Sequence, residues 1–553
     1  MPYETGEVQG TALAAGELTS PEDIRFKLGL RGWHKIFVAV LNLRSENYMY
    51  LKLTGDEGFT GLRSPFREHR HRWCPTEFAE EFYWKSADLT GEDIILSKPA
   101  RIELVRNACC LLWIRCVPMT EEETAEYLAY HDTSATACIH GHVDGDRNTF
   151  DQSVDSEKLL VKEMPLCGTD ISELSMEISG DIDNEAFLTS TDDEDAALLT
   201  VSAECNLRGN RLFYENREKA YALRIDFLHR HGIRVYAANR MSVASFQTPF
   251  TSPAFQLAFA NHHPEYYAVM RDGSTVKVCS YAFEQVQTYV IDTLKEYVQY
   301  GFDGFTLLWH RGLHIAFEEP VIRRFEERHP GVDPFVLPVK DDRLNGIWCE
   351  FMTEFMRKLR AALDEAAGKR MQINVVSEYT PETARHFGLD VETWAREGLI
   401  DEILQSNMET FEDLEGCLRE DGTIDLARYK EKLGRDYIIK RNHDTDVDRV
   451  LDGIPQYLPI CKKYGVKFYA AFPWEHTVSP HEYPGIARRM KQAGAEGFFS
   501  WDTNGVVLDL PEFHAMSMTG HEKVNEETYT VNYYRMLSLD GSNISAFNPN
   551  WRG

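Results

Sequence analysis

A chain of 553 residues exceeds the usual single-domain size roughly three- to fourfold, so it needs either several domains or a large barrel with a smaller partner. Hydrophobic residues at 43% and aromatics at 12% supply a large core and exclude disorder for most of the chain. The balance of 59 basic against 88 acidic residues gives a net charge of −29, a field that repels phosphate backbones and anionic membranes and argues against nucleic-acid and membrane partners.

The first ten residues, MPYETGEVQG, carry neither a basic segment nor an apolar one of secretory type. Nowhere is there an apolar run of about 18 residues that would cross a membrane. The 11 cysteines are scattered, with no CxxC pair at zinc-finger spacing. Together these features predict reduced thiols in a cytoplasmic protein.

From about residue 20 to 118 the pattern is short and strand-like. Trp33–Leu41, Tyr48–Leu53, Phe82–Ala87, Asp93–Ser97 and Leu111–Val117 are β-rich runs divided by turns such as Thr54-Gly55-Asp56 and Leu89-Thr90-Gly91. Such a series without intervening helices predicts an antiparallel sandwich. After Pro118, MTEEETAEYLAYHD reads as a short helix with an acidic first turn.

Beyond residue 135 strand and helix alternate. The predicted strands are 135–140, 171–178, 232–239, 303–309, 371–377, 400–406, 467–472 and 496–501, with helical periodicity at 285–300, 346–366 and 484–493. Eight strands in this rhythm predict a (β/α)8 barrel. A doubly wound open sheet is the alternative, but no GxGxxG loop follows the first strand. The domains expected are therefore residues 1–120 as an N-terminal β-sandwich, 121–515 as the catalytic (β/α)8 TIM barrel, and 516–553 as a tail packed on the barrel. The sandwich is expected to shape the substrate entrance or an oligomer contact.

Catalytic groups of such barrels sit at the carboxyl ends of the strands. Those positions carry His140, His142 and Asp144 after strand 1, Arg240 after strand 3, and Trp309, His310 and Arg311 after strand 4. Glu378 follows strand 5, Asn407 strand 6, Trp474 and Glu475 strand 7, and Trp501 and Asp502 strand 8. Tryptophan beside carboxylates suits sugars, whose apolar faces stack on indole while their hydroxyls take charged hydrogen-bond partners. Each carboxylate can equally cap a helix or bind an arginine, and one histidine of the His140–His142 pair can equally be a satisfied core residue.

The segment HPEYYAVMRDGS (263–274), a helix and then YGFDGFTLLWHRG (300–312) resemble a stretch of bacterial barrel proteins grouped as glycoside hydrolases. AAFPWEH (470–476) and AGAEGFFSWD (493–502) resemble closing strands of glycosidase barrels, and RGWHKIFVAV and WKSADLTGEDI resemble a sandwich associated with sugar enzymes. The resemblance implies a barrel glycosidase. It departs at strand 4, where Leu308-Trp309 stands in place of an Asp pair, so no carboxylate role carries over there.

The expected activity is hydrolysis of glycosidic bonds in small imported saccharides or glycosides. Glu475, Asp502 and Glu378 form the carboxylate set, with Asp144 and His310 as the alternative acid/base pair. His140, His142, Arg240, Arg311 and Asn407 are expected to bind hydroxyls, and Trp309, Trp474 and Trp501 to pack around the sugar. No metal and no cofactor is expected, and homo-oligomerisation stays open. Two other readings compete. One is a metal-dependent amidohydrolase-like hydrolase, suggested by HxH on strand 1 with Asp502 on strand 8, although strands 5 and 6 lack its histidines. The other is a non-catalytic carbohydrate-binding protein.

Overall fold

The computed structural model describes residues 2–4, 9–15, 21–43, 46–63, 77–98, 107–132, 136, 138–143, 158, 160, 161, 163–178, 218–244, 258–309, 314–338, 341–406, 425, 427, 428, 431, 446–473, 482–501, 503, 519–521 and 534–537. In the N-terminal region two antiparallel sheets face each other. Trp33–Leu43, Glu77–Asp88 and Asn107–Pro118 centre one sheet, and Glu46–Leu53, Thr60–Arg63, Ile94–Ser97 and Ile24–Phe26 make the other. A two-residue parallel pairing of Asn107 and Ala108 with Glu46 and Asn47 joins them.

Alternation decides the packing of this sandwich. Ile36, Val38 and Val40, with Phe82, Trp84 and Leu111, meet Met49, Leu51, Leu53, Leu62, Ile94 and Leu96 in one apolar cluster. The helix Glu121–Tyr130 closes the region with a capping box between Thr120 and Glu123, and Glu123 also accepts from Lys35 Nζ at 2.8 Å.

Eight parallel strands then close into a barrel in chain order, numbered here 1 to 8: Ile139–Val143, Ile171–Glu177, Arg234–Arg240, Gly304–Leu308, Gln372–Ser377, Glu402–Gln405, Lys467–Ala471 and Gly497–Ser500. Strand 8 pairs with strand 1 through Phe498–Ser500 and Ile139–Gly141, which removes the sheet edges. The predicted helices lie at Glu284–Glu296, Asp342–Ala367 and Tyr483–Gln492, and Val447–Tyr464 adds another. Between strands 3 and 4 the chain forms a small antiparallel sheet of Val243–Ala244, Tyr267–Val269 and Thr275–Cys279.

The two faces of the barrel wall separate cleanly. Leu174, Met176, Val235, Ala237, Phe305, Leu307, Ile373, Val375, Ile403, Phe468, Ala470 and Phe498 join the core under the helices. Ala238, Leu308, Val376, Leu404, Tyr469 and Phe499, one from each of strands 3 to 8, meet inside the barrel. The period of two along the strands therefore divides these residues between the lumen and the outer core.

Strand 1 is displaced from its expected place. It runs from 139 to 143 rather than 135 to 140, because the lumen-facing pattern His140, His142 continues past His140. The tail is divided: Gly520 and His521 contact Asp170, whereas Tyr534–Leu537 pairs with Glu77–Asp88 and extends the sandwich. Glu57 of the sandwich meets Arg230 (2.5 Å) and His231 (3.4 Å), and Tyr50 and Phe59 pack with Val161. Arg230 and His231 precede strand 3, so this contact sits toward the amino end of the barrel. It is not at the mouth that the sandwich was expected to shape.

Among the described residues no helix is long and apolar enough to cross a membrane. Eight cysteines are described, and all eight are free thiols.

Candidate active site

At the carboxyl end, four lumen-facing residues on neighbouring strands 8, 1, 2 and 3 form an arc. Trp501 follows strand 8, and its Nε1 donates to Ser406 Oγ at 2.5 Å beyond strand 6. The ring of Trp501 meets His142 edge-on with centroids 4.7 Å apart. His142 Nε2 lies 3.7 Å from Glu177 Oε2. Arg240 in turn holds Glu177 with both ends of its guanidinium, Nη2 donating to Oε2 at 3.0 Å and Nε to Oε1. His142 and Glu177 are buried, and Arg240 is partly exposed, so the carboxylate–guanidinium contact is partly shielded from water.

Glu378 stands one residue past strand 5 and is buried. Its Oε2 accepts from the backbone N–H of Tyr379 at 3.1 Å, and its carbonyl accepts from Tyr457 Oη–H at 2.7 Å. Gln405 Nε2 donates to the Tyr379 carbonyl at 2.8 Å, so strand 6 and the helix Val447–Tyr464 together fix the end of strand 5.

The expected site residues divide three ways. His142, Arg240 and Trp501 are brought together at the mouth, and Glu378 is placed at the end of its own strand. Trp309 goes elsewhere: next after lumen-facing Leu308, it turns into the outer core, fully buried against Tyr281, His314, Phe355 and Trp394. It is a packing residue of the barrel's outer layer, so it does not line the mouth as expected. Glu475, Asp502, Asp144, His310, Arg311, Asn407 and Trp474 lie outside the described residues.

His140 also departs from its expected position. Both histidines of strand 1 face the lumen, since residues two apart share a face, but His140 sits deep in the amino-terminal half. There it stacks on Tyr236 at 5.4 Å and meets Tyr469 edge-on at 5.5 Å. Around it stand Glu173 on strand 2 and Glu402, the first residue of strand 6. Arg234 and Lys467, the first residues of strands 3 and 7, reach the same carboxylates. Burial opposes ionisation of Glu173, yet His140, the Tyr469 hydroxyl, Arg234 and Lys467 outweigh it and hold its carboxyl well below the usual range. The same burial, with the two glutamates, pushes the Tyr236 and Tyr469 phenols up.

Glu177, Glu173 and Glu402 were not singled out from sequence. The signal was present in ISELSMEI, where Glu173, Ser175 and Glu177 alternate with Leu174, Met176 and Ile178. A strand covered on both faces reads as a continuous apolar run, so polar residues at every second position mark a hydrated or hydrogen-bonded lumen.

No protein-family model matches the sequence, and no curated protein matches it. Solved structures similar to the chain include a ruminal GH26 endo-β-1,4-mannanase (10% identity, 92% of this chain and 90% of that one, TM-score 0.33). An α-galactosidase from Thermus thermophilus matches at 10% identity over 95% of each chain, TM-score 0.34. A chitinase from Bacteroides thetaiotaomicron matches at 9% identity over 71% of this chain and 100% of that one, TM-score 0.31. At these scores the likenesses carry no argument about activity. The class of the fold, a (β/α)8 barrel with an N-terminal β-sandwich, rests on the strand pairing itself.

Proposed function

We propose that the protein is a glycoside hydrolase that takes small saccharides or glycosides at the carboxyl end of the barrel. The observation that supports this reading is the arc Trp501, His142, Glu177 and Arg240 on four neighbouring strands. An indole offers a pyranose an apolar face. An imidazole and a carboxylate–guanidinium pair offer its hydroxyls both acceptors and donors.

In this proposal the reaction falls to Glu378, Glu475 and Asp502, with Glu475 as nucleophile or base, and Asp144 with His310 remains the alternative acid/base pair. One carboxyl protonates the leaving oxygen while a second attacks the anomeric carbon or activates water. A separation of about 5–5.5 Å between the working pair gives retention and about 6.5–9.5 Å gives inversion. Free thiols agree with a cytoplasmic setting and with imported small glycosides as substrates.

The test is a panel of 4-nitrophenyl glycosides spanning common hexoses and pentoses in both anomers. At least one should be hydrolysed with saturable kinetics. Turnover of esters or amides with none of the glycosides would overturn the proposal.

A further inference from the structure

The mouth leaves unexplained the cluster at the other end of the lumen. His140, Glu173 and Glu402 are 0%, 1% and 0% exposed. His140 Nε2 is engaged by Ser175 Oγ at 2.6 Å, and Ser175 Oγ by Thr306 Oγ1 at 2.7 Å. The ring's other nitrogen, Nδ1, faces the two carboxylates and makes no hydrogen bond, and neither does Oε2 of Glu173 or of Glu402. His140 Nδ1 and the two Oε2 atoms thus converge in a buried space with no hydrogen bond between them, an arrangement that a cation among them would relieve.

The distances say what joins them. Nδ1 stands 3.3 Å from Glu402 Oε2 and 3.6 Å from Glu173 Oε2. Hydrogen bonds from a charged donor to a carboxylate draw in to about 2.7–2.9 Å. Ligands bound at about 2.0–2.2 Å around a tetrahedral ion lie about 3.4 Å apart, which matches both separations. The three side chains come from strands 1, 2 and 6, and their candidate ligand atoms all lie within 4.8 Å of one another.

We propose that His140, Glu173 and Glu402 bind a divalent transition-metal ion of the zinc type, which ties strands 1, 2 and 6 together across the barrel lumen. One imidazole and two carboxylates form a donor set suited to Zn²⁺, Mn²⁺ or Fe²⁺. The surroundings are those of held ligands. Ser175 fixes the imidazole by its far nitrogen, and Tyr469 Oη donates to Glu173 Oε1 at 2.6 Å, which leaves Oε2 for the ion. Lys467 Nζ lies 3.0 Å from Glu173 Oε1 and 3.2 Å from Glu402 Oε1. Arg234 and Lys467 are 41% and 53% exposed at the amino rim, so water screens their charges.

The site differs from the amidohydrolase arrangement weighed above, because His142 takes no part and the cluster lies away from the mouth. Its role is structural, as expected of groups at the amino end of a barrel. The proposal does not depend on the sugar-hydrolase reading.

The experiment uses full-length protein stripped with a chelator and titrated calorimetrically with Zn²⁺, and in parallel with Co²⁺ followed by absorption. The expected result is one equivalent bound, a Co²⁺ spectrum of a nitrogen–oxygen site without a thiolate charge-transfer band, and a rise in melting temperature on loading. Glu402→Gln, close in shape to the native side chain, should weaken binding at least ~10-fold and remove the rise. If His140→Gln fails to fold, Glu402→Gln and Glu173→Gln carry the test. Binding well below one equivalent, a thiolate band, or unchanged binding in both glutamate variants would overturn the proposal. So would a doubly protonated His140 in ¹⁵N spectra of protein kept in Zn²⁺, since an imidazolium would then fill the space.

Discussion

Glu177 and Arg240 close on each other at the carboxyl rim of adjacent strands 2 and 3, with guanidinium nitrogens on both carboxylate oxygens and His142 Nε2 on the far side at 3.7 Å. The parallel register makes this pairing possible, since Glu177 stands opposite Ala238 and Arg240 lies two residues further up its own strand. The pair is therefore built by the backbone.

Removing one partner strands the other. Arg240→Met leaves a buried carboxylate facing an imidazole, and about 3–5 kcal/mol of stability should be lost. The double variant Glu177→Gln/Arg240→Met should recover part of that loss, and denaturant titration of the four proteins measures the coupling. Arg240→Lys keeps the charge without the two-point hold and should cost activity as well. A fall of ~10-fold or more in kcat/KM is expected for Glu177→Gln and Arg240→Lys alike. Values within twofold of wild type in both would remove the arc from the binding site.

Glu318 predicts a pH dependence. Burial pushes its carboxyl up from the ordinary 4.5 to about 7, against the lowering effect of backbone N–H groups that include those of Ala316 and Val269. Below pH 4.5 the folded and unfolded chains both hold this proton. Between pH 4.5 and 7 only the folded chain does, so stability falls as pH rises through that window and levels off above it. The total contribution is up to about 3 kcal/mol. Glu318→Gln should flatten the slope, as read from urea titrations at pH 4.5, 5.5, 6.5 and 7.5. An unchanged slope would contradict the assignment.

Gly453 predicts a linked loss of fold and function. A Cβ there would stand 1.9 Å from the Tyr379 carbonyl oxygen and 2.5 Å from Gln405 Nε2. The helix Val447–Tyr464 approaches strand 5 so closely only because this position lacks a side chain. Gly453→Ala should cost about 2 kcal/mol or more and displace the segment carrying Glu378. A melt and a kcat determination check both effects. A variant as stable and as active as wild type would contradict this close approach.

How much of this was legible in sequence depends on what each residue type reports. The eight-stranded rhythm, the sandwich and the helix at Glu121 followed from periodicity and capping, because those signals are local. The ends of strands were less legible. The sequence pattern starts strand 1 too early because its lumen-facing histidines interrupt the apolar run that marks a buried parallel strand. Nearness to a strand end predicts Trp309 at the mouth, but parity along the strand sends it outward. Glu402 opens its strand, where a carboxylate reads as a cap, and Glu173 stands inside strand 2, where its alternation with apolar residues is the only local signal. Only the closure of the barrel brings strand 6 to face strands 1 and 2.

The central proposal is that Glu378, Glu475 and Asp502 carry the hydrolysis of a glycosidic bond. It is tested most directly by turnover of the best glycoside with Glu475→Gln and Asp502→Asn, alongside melting curves that show each variant folded. The account predicts that kcat falls by ~10³-fold or more in at least one of them, with the melting temperature nearly unchanged. If both variants keep more than ~10% of wild-type turnover, the assignment is contradicted and the catalytic pair is Asp144 with His310.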